Sequence, residues 1–404
     1  MINYWKNVSV VFYGASLAQI IPIIGTLFIT RIYTPDDYGE YSLWLAVVLV
    51  LAVVLTLRYE AALALEADGA ERSSAVLAIL IIIGFLGFST TITLTIISFI
   101  LPDFVDRFSY LAIISLVPAG MLLAFNVVLQ AWAAADGRYH QLNIIRLAFA
   151  GLVTTFQVLG GLFYASNLTL IFMHILGLLI SFLFSYWLNS IKIDCVFSLR
   201  LSIKSFLIRR KRFPIYSLPS DLVSTVSAQL PLIVITTRFG SEVGGVFALT
   251  MKMLGAPLGV IGKAVLDVFK RYAAIEVNET GSCKNIYLKT LKLLFLLSLI
   301  IVACVLFFAE WFFLLAFGGD WIDAGKYAIW LLPLFAMRFI ASPLSYTIYI
   351  KENQHFDLLW QMIFLSVTFF SLLLNAHINS TLILYGLSCS FMYAIYLYIT
   401  FKLC

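Results

Sequence analysis

Charge is what this sequence has least of. Only 12% of its 404 residues are Asp, Glu, Lys or Arg, while 62% are hydrophobic. An ordinary soluble chain carries about 25% charged residues, so the polar surface here is too small to cover a water-soluble globule. That excludes a soluble enzyme. Catalytic signatures are missing as well: there is no GxSxG, Walker A loop or HExxH, and His140, His174, His355 and His377 are scattered. Without a nucleotide-binding loop the chain is not expected to hydrolyse ATP. The five cysteines, Cys195, Cys283, Cys304, Cys389 and Cys404, form no CxxC or metal-like spacing and read as unpaired thiols. No catalytic residue, metal or cofactor is expected.

What the chain does have is long apolar runs. A transmembrane helix needs roughly 20 apolar residues, whereas the strands of a membrane barrel are segments of about 10 with alternating polarity. The runs here are long and unbroken, so the expected fold is an all-α polytopic membrane protein. Twelve spans are predicted, near 8–30, 41–58, 74–101, 109–131, 144–166, 168–190, 215–237, 244–268, 286–308, 327–350, 357–376 and 379–401. The first run continues past 20 residues without a small-x-small cleavage site, and reads as a retained helix.

Placement of the bases orients these spans. With the N-terminus in the cytoplasm, 20 of the 26 Lys and Arg fall on the cytoplasmic side, including Lys6, Arg58, Arg72, Arg138, Arg146, Lys351 and Lys402. The opposite face holds Arg31, Arg107, Arg238 and Lys326, and Lys252 and Arg338 lie inside spans. Positive loops stay in the cytoplasm, so both termini are expected there. The net charge of +5 is thus mostly topology, and no nucleic-acid partner is expected. The densest basic segment, Lys192 to Arg212, has one acid, Asp194. It reads as a topological anchor and linker, or as a site for anionic lipid headgroups.

That segment bisects the chain, and each half opens alike. Thr30-Arg31 is followed by Gly39-Glu40-Tyr41-Ser42-Leu43, and Thr237-Arg238 by Gly245-Val246-Phe247-Ala248-Leu249. Asp103 to Pro118 loosely resembles Asp320 to Pro333. Six spans separate the copies, so the halves share one orientation, a parallel repeat of the kind found in transporters whose lobes rock about a central cavity. The expected organisation is an N-terminal lobe at 1–191, a basic linker at 192–214 and a C-terminal lobe at 215–404.

Charges inside the bilayer cost roughly 2.5–3.5 kcal/mol on insertion scales and persist where they face a cavity or a partner. Lys252, eight residues into span 8, and Arg338, eleven into span 10, fall near mid-membrane. Spans 1 to 6 have no acid in their central parts, Asp221 early in span 7 is the main intramembrane acid, and Lys263 with Asp267 reads as a local helix pair. Two cations without an acid suit an anionic, phosphate-bearing substrate; the alternative is that either one bonds Asp221 or a backbone carbonyl. His174 in span 6 reads first as a structural hydrogen-bonding residue, second as a proton relay. Gly and Pro within spans, among them Pro22, Gly25, Pro118, Pro219, Pro257, Gly259 and Gly262, indicate movable or closely packed helices.

At Arg31-Ile-Tyr-Thr-Pro-Asp-Asp-Tyr-Gly39 and Arg58-Tyr59-Glu60-Ala61-Ala62-Leu63 the chain resembles the Wzx-type polysaccharide flippases of the multidrug/oligosaccharidyl-lipid/polysaccharide exporter superfamily. The resemblance continues at Gly137-Arg138-Tyr139, from Phe239-Gly240 to Pro257, and at Phe317-Gly318-Gly319-Asp320-Trp321, and so covers nearly the whole chain. It implies two six-helix lobes in a V-shape and flipping of an undecaprenyl-diphosphate-linked oligosaccharide for O-antigen or a related surface polysaccharide. The implied partners are membrane lipids, a polysaccharide polymerase and a chain-length regulator, with coupling to a proton or sodium gradient. A cationic cavity accepting the diphosphate agrees with Lys252 and Arg338. Arg31, Arg58 and Arg146 rank next as substrate-binding residues, and Asp221, Glu60 and His174 as coupling or gating residues. Two rivals within the superfamily are a multidrug or cation antiporter, which wants a buried carboxylate in the first lobe, and a flippase of the peptidoglycan lipid precursor. A non-transporting membrane scaffold is the rival from outside it.

Overall fold

The computed structural model describes the backbone of residues 2–100, 110–189, 196–350 and 354–404, and their side chains except at 2–12, 70, 97–100, 196–202, 278 and 354. Asp103, Arg107, Lys192, Asp194, Cys195 and Lys351, which entered the readings above, lie outside the described residues, as do the side chains of Lys6 and Arg200. The described residues form helices and no strand. In chain order the helices are α1 (Ile2–Ile32), α2 (Pro35–Thr56), α3 (Ala70–Ile100), α4 (Tyr110–Ala135), α5 (Tyr139–Phe163), α6 (Asn167–Asn189) and α7 (Val196–Arg209). Then come α8 (Leu218–Phe239), α9 (Ser241–Thr280), α10 (Lys284–Phe317), α11 (Asp323–Leu344), α12 (Tyr346–Ile350), α13 (Gln354–Leu373) and α14 (Ile378–Leu403). Twelve helical stretches among the described residues are long and apolar enough to cross a membrane. They correspond one for one to the predicted spans. α7 is the helix between the sixth and seventh, and α11 with α12 makes the tenth.

Helix boundaries follow local chemistry that hydropathy does not see. α2 begins at Pro35, six residues before the predicted 41, because Thr34-Pro35-Asp36-Asp37 is an N-terminal cap. The Asp37 N–H donates to Thr34 Oγ1 at 3.2 Å, and the Thr34 hydroxyl donates to the Asp37 carboxylate at 2.7 Å, while Pro35 sits where a missing N–H costs nothing. Between α4 and α5, Gly137 has φ +70°. There Arg138 N–H bonds Ala133 O at 3.0 Å and Gly137 N–H bonds Ala134 O at 3.2 Å, a helix stop that favours glycine at the left-handed position. The Glu276 carboxylate, still on α9, accepts the N–H groups of Asn285 and Ile286 at 3.3 and 2.9 Å and so caps the next helix.

The chain divides into two compact units: Met1–Tyr33 with Glu40–Val226, and Thr34–Gly39 with Ser227–Cys404. In the first, α3 packs on α4, α4 on α6, α5 on α6, and α1 on α5. In the second, α10 packs on α11, α11 on α14, α13 on α14, and α9 on α11. Numbered as spans, three of these pairings recur at an offset of six, as the parallel repeat requires. The repeat-equivalent glycines Gly39 and Gly245 come together within the second unit. A Cβ on Gly39 would overlap the Ser241 carbonyl, and one on Gly245 the Pro35 carbonyl. In the same unit the sulfurs of Cys283 and Cys404 approach to 2.9 Å.

Candidate functional site

In the second unit, α9 and α11 line a cleft of about 500 Å³ including its open mouth. α9 contributes Gly255, Leu258, Gly259, Gly262, Lys263 and Leu266, and α11 contributes Phe335, Arg338, Phe339 and Ser342. Both sets step by three and four, so each is one face of its helix. The glycines make the space: a Cβ on Gly259 would meet nothing within 4 Å, and one on Gly255 would only touch Phe335 at 3.8 Å. The lining includes two cations and no carboxylate. Lys252 belongs to the same face of α9, eleven residues before Lys263. That is about 16 Å along the axis and about 20° around it. Among the described residues Lys252, Lys263 and Arg338 have no hydrogen-bond or ion-pair partner. Arg338 lies within electrostatic range of Tyr385 and Tyr393 on α14.

The reading of Lys263 with Asp267 as a local pair is corrected here. Asp267 takes Lys270 instead, at 3.9 Å, and Lys263 turns to the cleft. Sequence reasoning therefore missed Lys263 as a site residue. The signal was present in the spacing of Lys252, Gly255, Gly259 and Lys263, a cation-glycine face that only a partner helix turns into a cavity.

In the first unit the charged residues gather where α2 passes to α3. Leu57 and Arg58 both take left-handed backbone conformations, φ 48° and 60°, which costs a side-chain-bearing residue roughly 1–2 kcal/mol. The turn so made lets one guanidinium hold two carboxylates: Arg58 pairs with Glu60 at 2.8 Å and also with Asp221. Glu60 stands in a 3-10 turn over Tyr59–Leu65, between candidate spans, and is buried. Asp221 lies in the first turn of α8. Asp221 thus lies early in the seventh candidate span, as expected, and there it is ion-paired with Arg58. Burial raises the pKa of the neighbouring Tyr59 phenol, whose hydroxyl donates to Leu207 O at 3.4 Å.

The same end contains a cluster that the sequence did not reveal. The Glu66 side chain is 1% exposed and is held by Arg209 and, at 2.6 Å, by Arg210. Two of the four consecutive bases of the linker are thus docked on a buried acid rather than left free for lipid headgroups. Arg72 donates to the Leu63 and Glu66 carbonyls at 3.3 and 2.9 Å and pairs with Asp136 at 3.1 Å, and Arg138 pairs with Asp136 at 2.6 Å. The motif residues Arg58, Glu60, Gly137 and Arg138 belong to this scaffold.

The remaining predicted residues stand apart from both groups. His174 is buried; its Nδ1 is 2.8 Å from the Tyr41 hydroxyl, and its ring meets Trp44 edge-on at 5.7 Å. Arg31 is exposed in the last turn of α1. Arg146 is half-buried two turns into α5 and has no hydrogen-bond or ion-pair partner among the described residues. In the second unit, sequence reading also passed over Asp357. This buried carboxylate of α13 accepts bonds from Tyr349, Gln361 and Tyr396 at 3.1, 2.9 and 2.5 Å. Three donors satisfy it as a structural staple.

Comparison with solved structures identifies the fold. An inward-facing structure of a multidrug resistance MATE family transporter of the MOP superfamily superposes with a TM-score of 0.67 at 17% identity, covering 95% of this chain and 93% of that one. A MOP superfamily transporter from Pyrococcus furiosus, for which a reverse polarity of the binding pocket is described, gives 0.63 at 16% identity over 98% and 94%. An outward-facing multidrug resistance MATE transporter gives 0.58 at 15% identity over 98% and 94%. At these identities the likeness establishes the fold. No curated protein matches the sequence. The sequence pattern of the polysaccharide biosynthesis protein family, however, matches residues 28–326. This chain, a multi-pass membrane protein on the fold of MATE-type transporters, therefore belongs to the polysaccharide biosynthesis protein family.

Proposed function

We propose that this protein is a flippase that moves an undecaprenyl-diphosphate-linked oligosaccharide unit across the inner membrane by alternating access, for O-antigen or related surface polysaccharide. Both termini lie in the cytoplasm in this reading, as the 20-to-4 division of bases requires. The product passes to a polymerase and its chain-length regulator, and a proton or sodium gradient drives the cycle. The observation that carries the reading is the pair Lys252 and Arg338, mid-helix cations with no ion-pair partner among the described residues, in a chain of a polysaccharide biosynthesis family. A diphosphate supplies the missing anion, with Arg able to hold it in bidentate fashion. Asp221, the alternative partner considered for either of them, is engaged by Arg58.

The test is deletion of the gene followed by analysis of lipid-linked sugars. Accumulation of the oligosaccharide on the cytoplasmic leaflet supports the flippase; sensitivity to cationic drugs with normal polysaccharide would replace it with the antiporter. Lys252→Ala and Arg338→Ala should each lower surface polysaccharide at least about tenfold while the protein inserts and accumulates normally. Unchanged polysaccharide in both single variants and the double variant would remove the cationic site from the mechanism.

A further inference from the structure

We infer that Cys283 and Cys404 are a redox-sensitive pair that closes to a disulfide and staples the turn after α9 to the end of α14. Their sulfurs stand 2.9 Å apart as thiols, although 121 positions separate them in the chain. A disulfide is about 2.05 Å long, so closure asks for a movement of only about 0.9 Å. The surroundings already hold the two together. Gly281, with φ +76°, stops α9, and its N–H bonds the Val277 carbonyl at 2.8 Å. The Ser282 hydroxyl donates to the Cys404 carbonyl at 2.6 Å. One turn into α10, the Tyr287 hydroxyl donates to the Leu397 carbonyl at 3.1 Å and lies 2.8 Å from the Thr400 hydroxyl. The start of α10 is thus fixed against the last turns of α14 by bonds that involve no sulfur.

The two thiols differ in access: Cys283 is fully buried and Cys404 half-buried. Cys283 occupies the N-cap of α10, a place that favours a thiolate, but the Glu276 carboxylate already takes the Asn285 and Ile286 N–H groups there. Cys404 is therefore the thiol an external oxidant reaches, and Cys283 the one that resolves. With a low-molecular-weight disulfide as oxidant, the Cys404 thiolate attacks one of its sulfurs and expels one small thiol. The Cys283 thiolate then attacks Cys404 Sγ in the mixed disulfide and expels the second. Two protein thiols and one small disulfide become one protein disulfide and two small thiols, which carry away both protons. In the orientation proposed above, the pair faces the cytoplasm, where thiols are normally kept reduced and a disulfide reports an oxidising change. The pair lies outside the cleft, since α9 runs about 21 Å from Leu266 to its end at Thr280. Its chemistry is independent of the cargo.

The test is to equilibrate the full chain in detergent micelles with graded ratios of oxidised to reduced glutathione, block the remaining thiols under denaturing conditions, and digest with trypsin. A disulfide-linked pair of peptides, Tyr272–Lys284 and Leu403–Cys404, should appear as the ratio rises and disappear on reduction. Because the staple closes a long loop, the thermal midpoint of the oxidised protein should rise by at least about 4 °C over the reduced protein. Cys404→Ser should abolish both effects, and Cys304→Ser, elsewhere on α10, should change neither. The linked peptide is read on the unaltered chain, so a variant that fails to fold does not decide the outcome. No linked peptide at any ratio, a link that joins Cys195 to either residue instead, or a midpoint indifferent to oxidation overturns the inference.

Discussion

Glu66 shows how much a single side chain contributes to this fold. It closes an apolar stretch, is almost fully buried, and is paired with Arg209 and Arg210, which reach it from more than 140 residues away. Removing one member of a buried pair costs roughly 3–5 kcal/mol, because the charge left behind has no solvent. Arg209 is 47% exposed, which discounts its share. Glu66→Gln should therefore destabilise the first unit by about 2 kcal/mol and loosen the segment from Lys204 to Arg212. Thermal unfolding in detergent and the rate of tryptic nicking in that segment measure both effects; no change in either would show the cluster to be inert. Nothing in the sequence pairs Glu66 with two arginines so distant. The neighbouring Arg58 and Glu60 were legible as motif residues, yet the turn that places Arg58 between two acids depends on backbone angles that composition does not encode.

Helices α2 and α9 carry the lesson for elements. Their existence was legible from hydropathy alone. Their ends were not: α2 starts early on a Thr34 cap, and α9 runs to Thr280, twelve residues past the predicted 268, since Lys270 and Arg271 end an apolar run without ending a helix. Gly39 and Gly245 were legible as repeat partners, and the structure adds the reason for glycine, a backbone approach that leaves no room for a methyl group. Gly39→Ala should cost about 1–3 kcal/mol through overpacking. Gly84→Ala on α3, where nothing lies within 4 Å, should gain up to about 1 kcal/mol from helix propensity. Unfolding midpoints of the two variants should move in opposite directions, and a shared direction would refute the close-approach account.

At the scale of the whole molecule, the sequence made the twelve spans and the family legible because both are written in local patterns. It did not make the cleft legible, because a cleft is a relation between two helices. The i, i+4 rule looks along one helix and assigned Asp267 to Lys263, when α11 supplies the face that Lys263 shares. Orientation rests on the distribution of bases and has a direct check with single cysteines in a background without the natural ones. A cysteine at Lys326 should react with an impermeant thiol reagent in intact cells, and one at Lys211 only after the inner membrane is opened. The reverse pattern would invert the topology and with it the assignment of the basic end to the cytoplasm.

The length of α9 sets the depth of its charges. Counted from the Gly240 turn, its forty residues reach about 60 Å, twice the hydrocarbon thickness of about 30 Å. Lys252 then stands about 18 Å in, near the midplane, and Lys263 about 35 Å in, at the level where hydrocarbon gives way to headgroups. For the anionic cargo proposed above, two lysines at these depths would divide a single tall dielectric barrier into lower ones with a resting place at Lys252.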